Sequence, residues 1–209
     1  MISFEQALGM FQALSATPAM PMARLAGNDP TSICRVLDAG AYSVICPMIS
    51  SAEEARAFVS ACRYAPLGTR SYAPVRGQLY GGSDYFPHAN EEIVKMAMIE
   101  TRGGLDALDE ILAVEGLDGI FVGPNDLAIA LGQPPSSESD HPDVRNAIHT
   151  ICTRTRAKGK VAGILCSGPQ AALQRIEQGF NFVTCGGDIG LLTKVSRESV
   201  AAVRAGLPA

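Results

Sequence analysis

Two short apolar runs constrain the fold of this chain more than any other feature. Residues 94–99 (VKMAMI) and 117–122 (LDGIFV) each have the length of a buried strand, and a helical pattern over 104–114 separates them. Strands joined through a helix lie parallel and usually adjacent in one sheet. Glu100 comes directly after the first run, and Gly123-Pro124-Asn125-Asp126 directly after the second. Parallel neighbours end on the same edge of the sheet, and so do the residues just beyond them. Glu100 and Asp126 are therefore expected together on the C-terminal rim, where parallel α/β folds bind ligands.

The same alternation runs through the whole chain. Residues 4–14 form a helical pattern with Phe4, Ala7, Leu8, Phe11 and Leu14 on one face. A strand at 20–25 leads to a helix that starts with Asp29 as N-cap and Pro30 in its first turn, runs to about Leu37 and stops at Gly40. Next come a strand at 42–47 and a helix over 52–63, with Ser51 as cap and Glu54 placed for a capping box. Residues 64–90, rich in Gly, Pro, Tyr and Ser, read as a long connection of the functional or oligomer-contact kind. Beyond the central unit lie a helical turn at 127–131, a polar Pro-Ser loop at 133–140, a helix over 142–158, a strand at 161–166, a helix over 169–178, a strand at 182–185 and a helix over 189–204. No linker or change of composition interrupts the pattern, which reads as one domain over residues 1–209. Its class is α/β, α(βα)6: an incomplete TIM-type (β/α)8 barrel, six strands where the closed fold has eight in ~250 residues.

Charge narrows the range of partners. Seventeen Lys and Arg stand against 21 Asp and Glu, for a net charge of -4, and the basic residues are scattered. That balance argues against nucleic acid or an anionic membrane as a partner. With no basic leader and no apolar stretch approaching ~18 residues, a cytoplasmic location is expected. The six cysteines, Cys34, Cys46, Cys62, Cys152, Cys166 and Cys185, form no C-x-x-C pair. They read as reduced thiols rather than a zinc cluster.

Two carboxylates on one rim, with neither His nor Cys between them, suit a hard divalent cation held by oxygen. The competing structural role for either is a helix N-cap or a rim ion pair. The stretches A-M-I-E-T-R, D-E-I-L-A-V-E-G-L-D-G-I-F-V-G-P-N-D-L-A and Y-A-P-L-G-T-R-S resemble the HpcH/HpaI aldolase family. These are class II, metal-dependent pyruvate aldolases related to 2,4-dihydroxyhept-2-ene-1,7-dioate aldolase, a context of aromatic-compound catabolism. The resemblance implies Glu100 and Asp126 as ligands of Mg²⁺ or Mn²⁺, with Co²⁺ as a further choice, and water and an α-keto acid completing the shell. It implies that Arg70 holds the keto or enolate oxygen, a task suited to a permanently charged guanidinium. Gly123, Pro124, Asn125 and Asp126 form a turn whose backbone N–H groups could grip the substrate carboxylate. The implied reaction is carbon–carbon cleavage of a 4-hydroxy-2-oxo acid to pyruvate, or a related α-keto acid, and an aldehyde, with a base removing the 4-hydroxyl proton. The alternatives are an enzyme like the citrate lyase β-subunit or malyl-CoA lyase, and a catalytically impaired truncated relative. A homo-oligomer, a hexamer or trimer of dimers with the last helix on a neighbouring subunit, is implied as well.

The chain departs from the family pattern twice. Met98 stands where the family usually has Gln. The family's second strand ends in D-x-E-H-G, and Met1 falls directly after that point, so the chain as given is expected to be a weak or inactive aldolase. His88 is then the one candidate stand-in for the missing His; His141 reads as a helix start and His149 as a mid-helix residue. The Gly186-Gly187-Asp188 turn reads as part of the substrate pocket or as a helix cap.

Overall fold

The structure, a computed structural model, describes residues 2–207. In chain order its elements are α1 (Phe4–Leu14), β1 (Met22–Arg24), α2 (Pro30–Asp38), β2 (Ser43–Cys46), α3 (Ala52–Cys62), α4 (Val75–Gly81), a 3₁₀ turn (Gly82–Asp84), α5 (Tyr85–Glu92) and β3 (Val94–Ile99). The second half comprises α6 (Arg102–Asp106), α7 (Leu108–Leu112), β4 (Gly119–Val122), α8 (Pro124–Ala130), α9 (Pro142–Ala157), β5 (Val161–Ile164), α10 (Pro169–Glu177), β6 (Phe182–Val183) and α11 (Asp188–Ala205). All six strands are parallel and pair in sequence order, β1-β2-β3-β4-β5-β6. The result is the expected α(βα)6 arrangement, a curled half-barrel.

Alternation along the strands builds two cores. Ile45, Met96, Met98 and Phe121 point to the concave interior, with Met22, Val94, Val161 and Phe182 packed against them. Val44, Cys46, Ala97, Ile99, Ile120, Val122, Ala162 and Ile164 point the other way, into the helix layer. There Ile33 and Leu37 of α2 and Phe58 of α3 are fully buried. Each fully buried side chain of this kind contributes about 1.5–3 kcal/mol relative to exposure.

The helix starts reflect local chemistry. Asp29 caps α2 by accepting from Ser32 N–H, and Ser51 caps α3 by accepting from Glu54 N–H. Glu54 reaches back to Ser50 N–H rather than to the cap itself, so the capping box at Ser51 is displaced by one residue. Two expectations are corrected. The connection 64–90 is not a long loop: α4, the 3₁₀ turn and α5 fill most of it, ordered by burial of Tyr85 and Ala89. The helix expected over 104–114 is split at Ala107 into α6 and α7. A β-carbon on Gly104 would lie 2.4 Å from Ile49 O, so this glycine lets α6 start against the loop after β2.

Candidate functional site

Ile99 pairs with Val122 at the ends of β3 and β4, so Glu100 and Gly123 leave the sheet side by side. Glu100 is 2% exposed. Its Oε1 accepts from Met48 N–H at 2.9 Å, and its Oε2 is buried with no partner. Met48 is the one non-glycine residue with positive φ, +59°, among those described. The loop after β2 thus takes a sparsely populated backbone conformation where it supplies that donor. A β-carbon on Gly123 would lie 2.2 Å from Glu100 Oε2 and 2.7 Å from Met98 Cε. Only glycine leaves room for Glu100 to lie across the end of β4.

Asp126 sits in the first turn of α8, exposed and beside Glu100. Burial pushes the Glu100 carboxyl up from its ordinary value, and the neighbouring Asp126 charge pushes it further; the Met48 N–H and the Arg24 charge oppose them. Neither carboxylate is a helix cap: Thr101 caps α6, accepting from Gly104 N–H, and Gly123 is the N-cap of α8. Neither forms an ion pair among the described residues. A buried, unpartnered carboxylate oxygen beside a second carboxylate is a donor set that a hard cation would complete, leaving further positions for water and substrate oxygens. The residues present therefore fit a divalent ion.

The structure does not bring Arg70 to this rim, and the expected role for it is corrected. Arg70 comes after α3, so it lies at the end where strands begin, opposite Glu100. Its side chain is fully buried; one guanidinium nitrogen donates to Asp38 at 2.7 Å and another to Tyr85 Oη at 3.1 Å. The guanidinium carbon stands 4.5 Å from the centre of the Tyr64 ring. That cation is already neutralised and enclosed. The arginine whose charge reaches Glu100 is Arg24, the exposed last residue of β1. Sequence reasoning does not single it out, although its place at a strand end is the signal that could find it. His88 is exposed on α5, which leads into the start of β3, so it too stands at the far end. His141 caps α9 and His149 is exposed on it. Gly187 is the N-cap of α11. Asn125 accepts from Ser137 Oγ at 3.3 Å, tying the 133–140 loop to the α8 turn.

This arrangement has known relatives. The sequence profile of HpcH/HpaI aldolase/citrate lyase proteins matches residues 3–194. The chain belongs to that family. It is 42% identical over 204 residues to the hydroxypyruvate/pyruvate aldolase of Rhizorhabdus wittichii, covering 98% of this chain and 81% of that protein. It is 39% identical over 188 residues to the 5-keto-4-deoxy-D-glucarate aldolase of Escherichia coli, covering 89% of this chain and 73% of the relative. Its structure matches that of an HpcH/HpaI aldolase/citrate lyase family protein from Burkholderia cenocepacia with a TM-score of 0.89 at 30% identity, over 97% of this chain and 81% of the other. Family membership, the barrel-type fold and the carbon–carbon lyase class expected from the sequence are borne out for this HpcH/HpaI family member.

Proposed function

We propose that this family member cleaves a 4-hydroxy-2-oxo acid to an α-keto acid and an aldehyde, with Mg²⁺ or Mn²⁺ held between Glu100 and Asp126. The observation that carries the metal part is the buried, unpartnered Oε2 of Glu100 next to a second carboxylate. A buried carboxylate beside a like charge either takes up a proton or is completed by a cation, and one hard ion would serve both carboxylates at once. When bound, the ion would supply Lewis-acid polarisation of the keto oxygen. Met48 N–H fixes one oxygen of Glu100, so the free one keeps its aim. Arg24 takes the role that the family resemblance implies for Arg70, stabilising negative charge that develops at the keto oxygen. The substrate carboxylate is assigned to the Gly123–Asp126 turn, whose helix carries no side-chain cap. The Rhizorhabdus relative acts on hydroxypyruvate and pyruvate, as its name says, which supports one of these as the keto acid.

The test is a calorimetric titration with Mn²⁺ and then with oxalate, a planar mimic of the pyruvate enolate. Oxalate should bind only the loaded protein, and Arg24→Ala should weaken it at least tenfold. Oxalate binding of equal strength without metal would sink the proposal. Release of pyruvate from 4-hydroxy-2-oxo acids by the loaded protein tests the reaction itself.

A homo-oligomer is the second part of the reading. No residue of the 18-residue α11 is buried, and Ile189, Leu192, Val195 and Val203 are all more than half exposed on it. Such an apolar helix suits packing against another subunit. A monomer in sedimentation at micromolar concentration would count against it.

A further inference from the structure

The ends of β5 and β6 bring two cysteines together that the aldolase chemistry does not use. Gly163 pairs with Phe182 and Ile164 with Val183, and that register continued two residues past the strand ends sets Cys166 opposite Cys185. Cys166 and Val183 lie on the helix side of the sheet. Phe182 points into the concave interior, whereas Ala162, Ile164, Cys166 and Val183 belong to the core beneath the helices. Side chains alternate along a strand, so Cys185 leaves on the same face as Val183. Paired residues on neighbouring strands stand ~4.8 Å apart, inside the Cα separation that a disulfide spans. The regular ladder also stops here. Thr184 N–H still donates to Ile164 O, but Cys166 N–H donates to the Thr184 side-chain hydroxyl at 2.8 Å, and that hydroxyl donates back to Cys166 O. Past the Thr184 N–H bond, the two segments are tied through the Thr184 hydroxyl rather than by ladder bonds. Cys166 is 2% exposed and Cys185 is exposed.

We propose that Cys166 and Cys185 form an oxidation site: a reversible cross-strand disulfide made by hydroperoxide-class oxidants, with Cys185 reacting first and Cys166 resolving. The Cys185 thiolate attacks the O–O bond of hydrogen peroxide and becomes a sulfenic acid; the departing hydroxide takes up the thiol proton and leaves as water. The Cys166 sulfur then attacks the Cys185 sulfur. The S–S bond forms, the S–O bond breaks, and hydroxide leaves with the Cys166 proton as a second water. Two thiols have lost two electrons and two protons, and the peroxide has been reduced to two waters. Burial and the nearby Glu138 hold the Cys166 thiol up, which fits a resolving rather than an attacking role. The cross-link would join β5 to β6 on the rim that carries Glu100 and fix the Gly186-Gly187 turn opening α11.

The experiment treats the full chain with hydrogen peroxide, blocks remaining thiols with an alkylating agent and maps peptides by mass spectrometry. Wild type should lose two of its six thiols and yield a Cys166–Cys185 linked peptide at a rate independent of protein concentration, and dithiothreitol should restore both. Cys185→Ser should retain the Cys166 thiol and yield no link. Cys166→Ser should carry Cys185 on to the sulfinic acid or into intermolecular dimers. A wild-type chain in which Cys185 is over-oxidised, dimerises between molecules or links to another cysteine overturns the proposal. The wild-type peptide map decides the matter even if a serine variant folds poorly.

Discussion

Buried charges lie at both ends of this half-barrel, and they are treated differently. At the end where strands begin, Arg70 is sealed between Asp38, Tyr85 and Tyr64, and Lys95 is paired with Asp118 at 3.0 Å. At the end where strands finish, Glu100 is just as buried, but the charge that acts on it most is another carboxylate, Asp126, and its opposite charge, Arg24, is exposed. Unpartnered polar atoms occur in the first region too: Arg70 Nε and Tyr64 Oη lack hydrogen-bond partners. The distinction is therefore one of charge balance rather than of hydrogen-bond count. A balanced buried charge holds a fold together; an unbalanced one is tolerated where a ligand completes it.

The sharpest way to break the comparison is to exchange the fates of the two arginines. Arg70→Ala would leave the Asp38 carboxylate and the Tyr85 hydroxyl without their donors. Removing one partner of a buried pair costs about 3–5 kcal/mol. Arg24→Ala, at an exposed strand end, should stay within about 0.5 kcal/mol of wild type. Urea unfolding of both variants measures the difference. Equal stabilities would show that the enclosed cluster is no more structural than the rim.

Metal affinity probes the other region. Glu100→Gln and Asp126→Asn each remove a negative charge and one ligand oxygen. Each should weaken Mn²⁺ binding by about 100-fold, or about 2.7 kcal/mol, in calorimetry. Arg70→Gln, if folded, should bind Mn²⁺ like wild type. Unchanged affinity in both carboxylate variants would make the rim pair structural, and the contrast between the two ends would vanish.

Much of this is legible in the sequence, because it depends on periodicity. The six strands, their parallel order and the meeting of Glu100 with the Gly123–Asp126 turn all stem from apolar runs separated by helices. The arginine is misplaced when a local Gly-Thr-Arg motif is weighed above its position in the chain. Arg70 comes after a helix, and in a parallel sheet that side is the beginning of the strands; Arg24 ends a strand, and that side is the rim. The helices inside 64–90 are hidden by their Gly, Pro and Tyr content and form because Tyr85 and Ala89 find tertiary partners. The positive φ of Met48 has no local signature in a Pro-Met-Ile-Ser stretch. It is imposed by the surrounding loop.

Gly123 connects the two halves of the rim, and Gly123→Ala tests its tight fit. The new methyl would meet Glu100 Oε2 and the end of Met98, so the carboxylate or the turn must shift. Overpacking of this kind costs about 1–3 kcal/mol. Mn²⁺ affinity should fall with it, since the free oxygen of Glu100 is the atom displaced. A variant that loses stability but binds Mn²⁺ normally would show that the Gly123 contact shapes the fold and not the ligand set.

The smallest expected effect has the opposite sign. In the metal-free protein, Glu100 is a desolvated carboxylate beside a like charge, and its folded pKa lies above the ordinary 4.5. A carboxyl raised in this way costs stability where it must ionise in the fold. The cost is absent below the unfolded value, sets in as pH rises through it, and is complete above the raised folded value. Glu100→Gln keeps the oxygen that accepts from Met48 N–H and removes the charge. It should therefore raise the stability of the metal-free protein at pH 7 by about 0.5–2 kcal/mol, a gain typical of substitutions that relieve a functional site. The gain should disappear as pH falls below about 4.5, where wild-type Glu100 is protonated in both states. Thermal unfolding in a chelator-containing buffer across that range decides it. Saturating Mn²⁺ should reverse the order at pH 7, because only wild type gains the binding energy of the ion. A Glu100→Gln variant less stable than wild type without metal would mean that this carboxylate, like Arg70 at the far end, is part of what holds the barrel together.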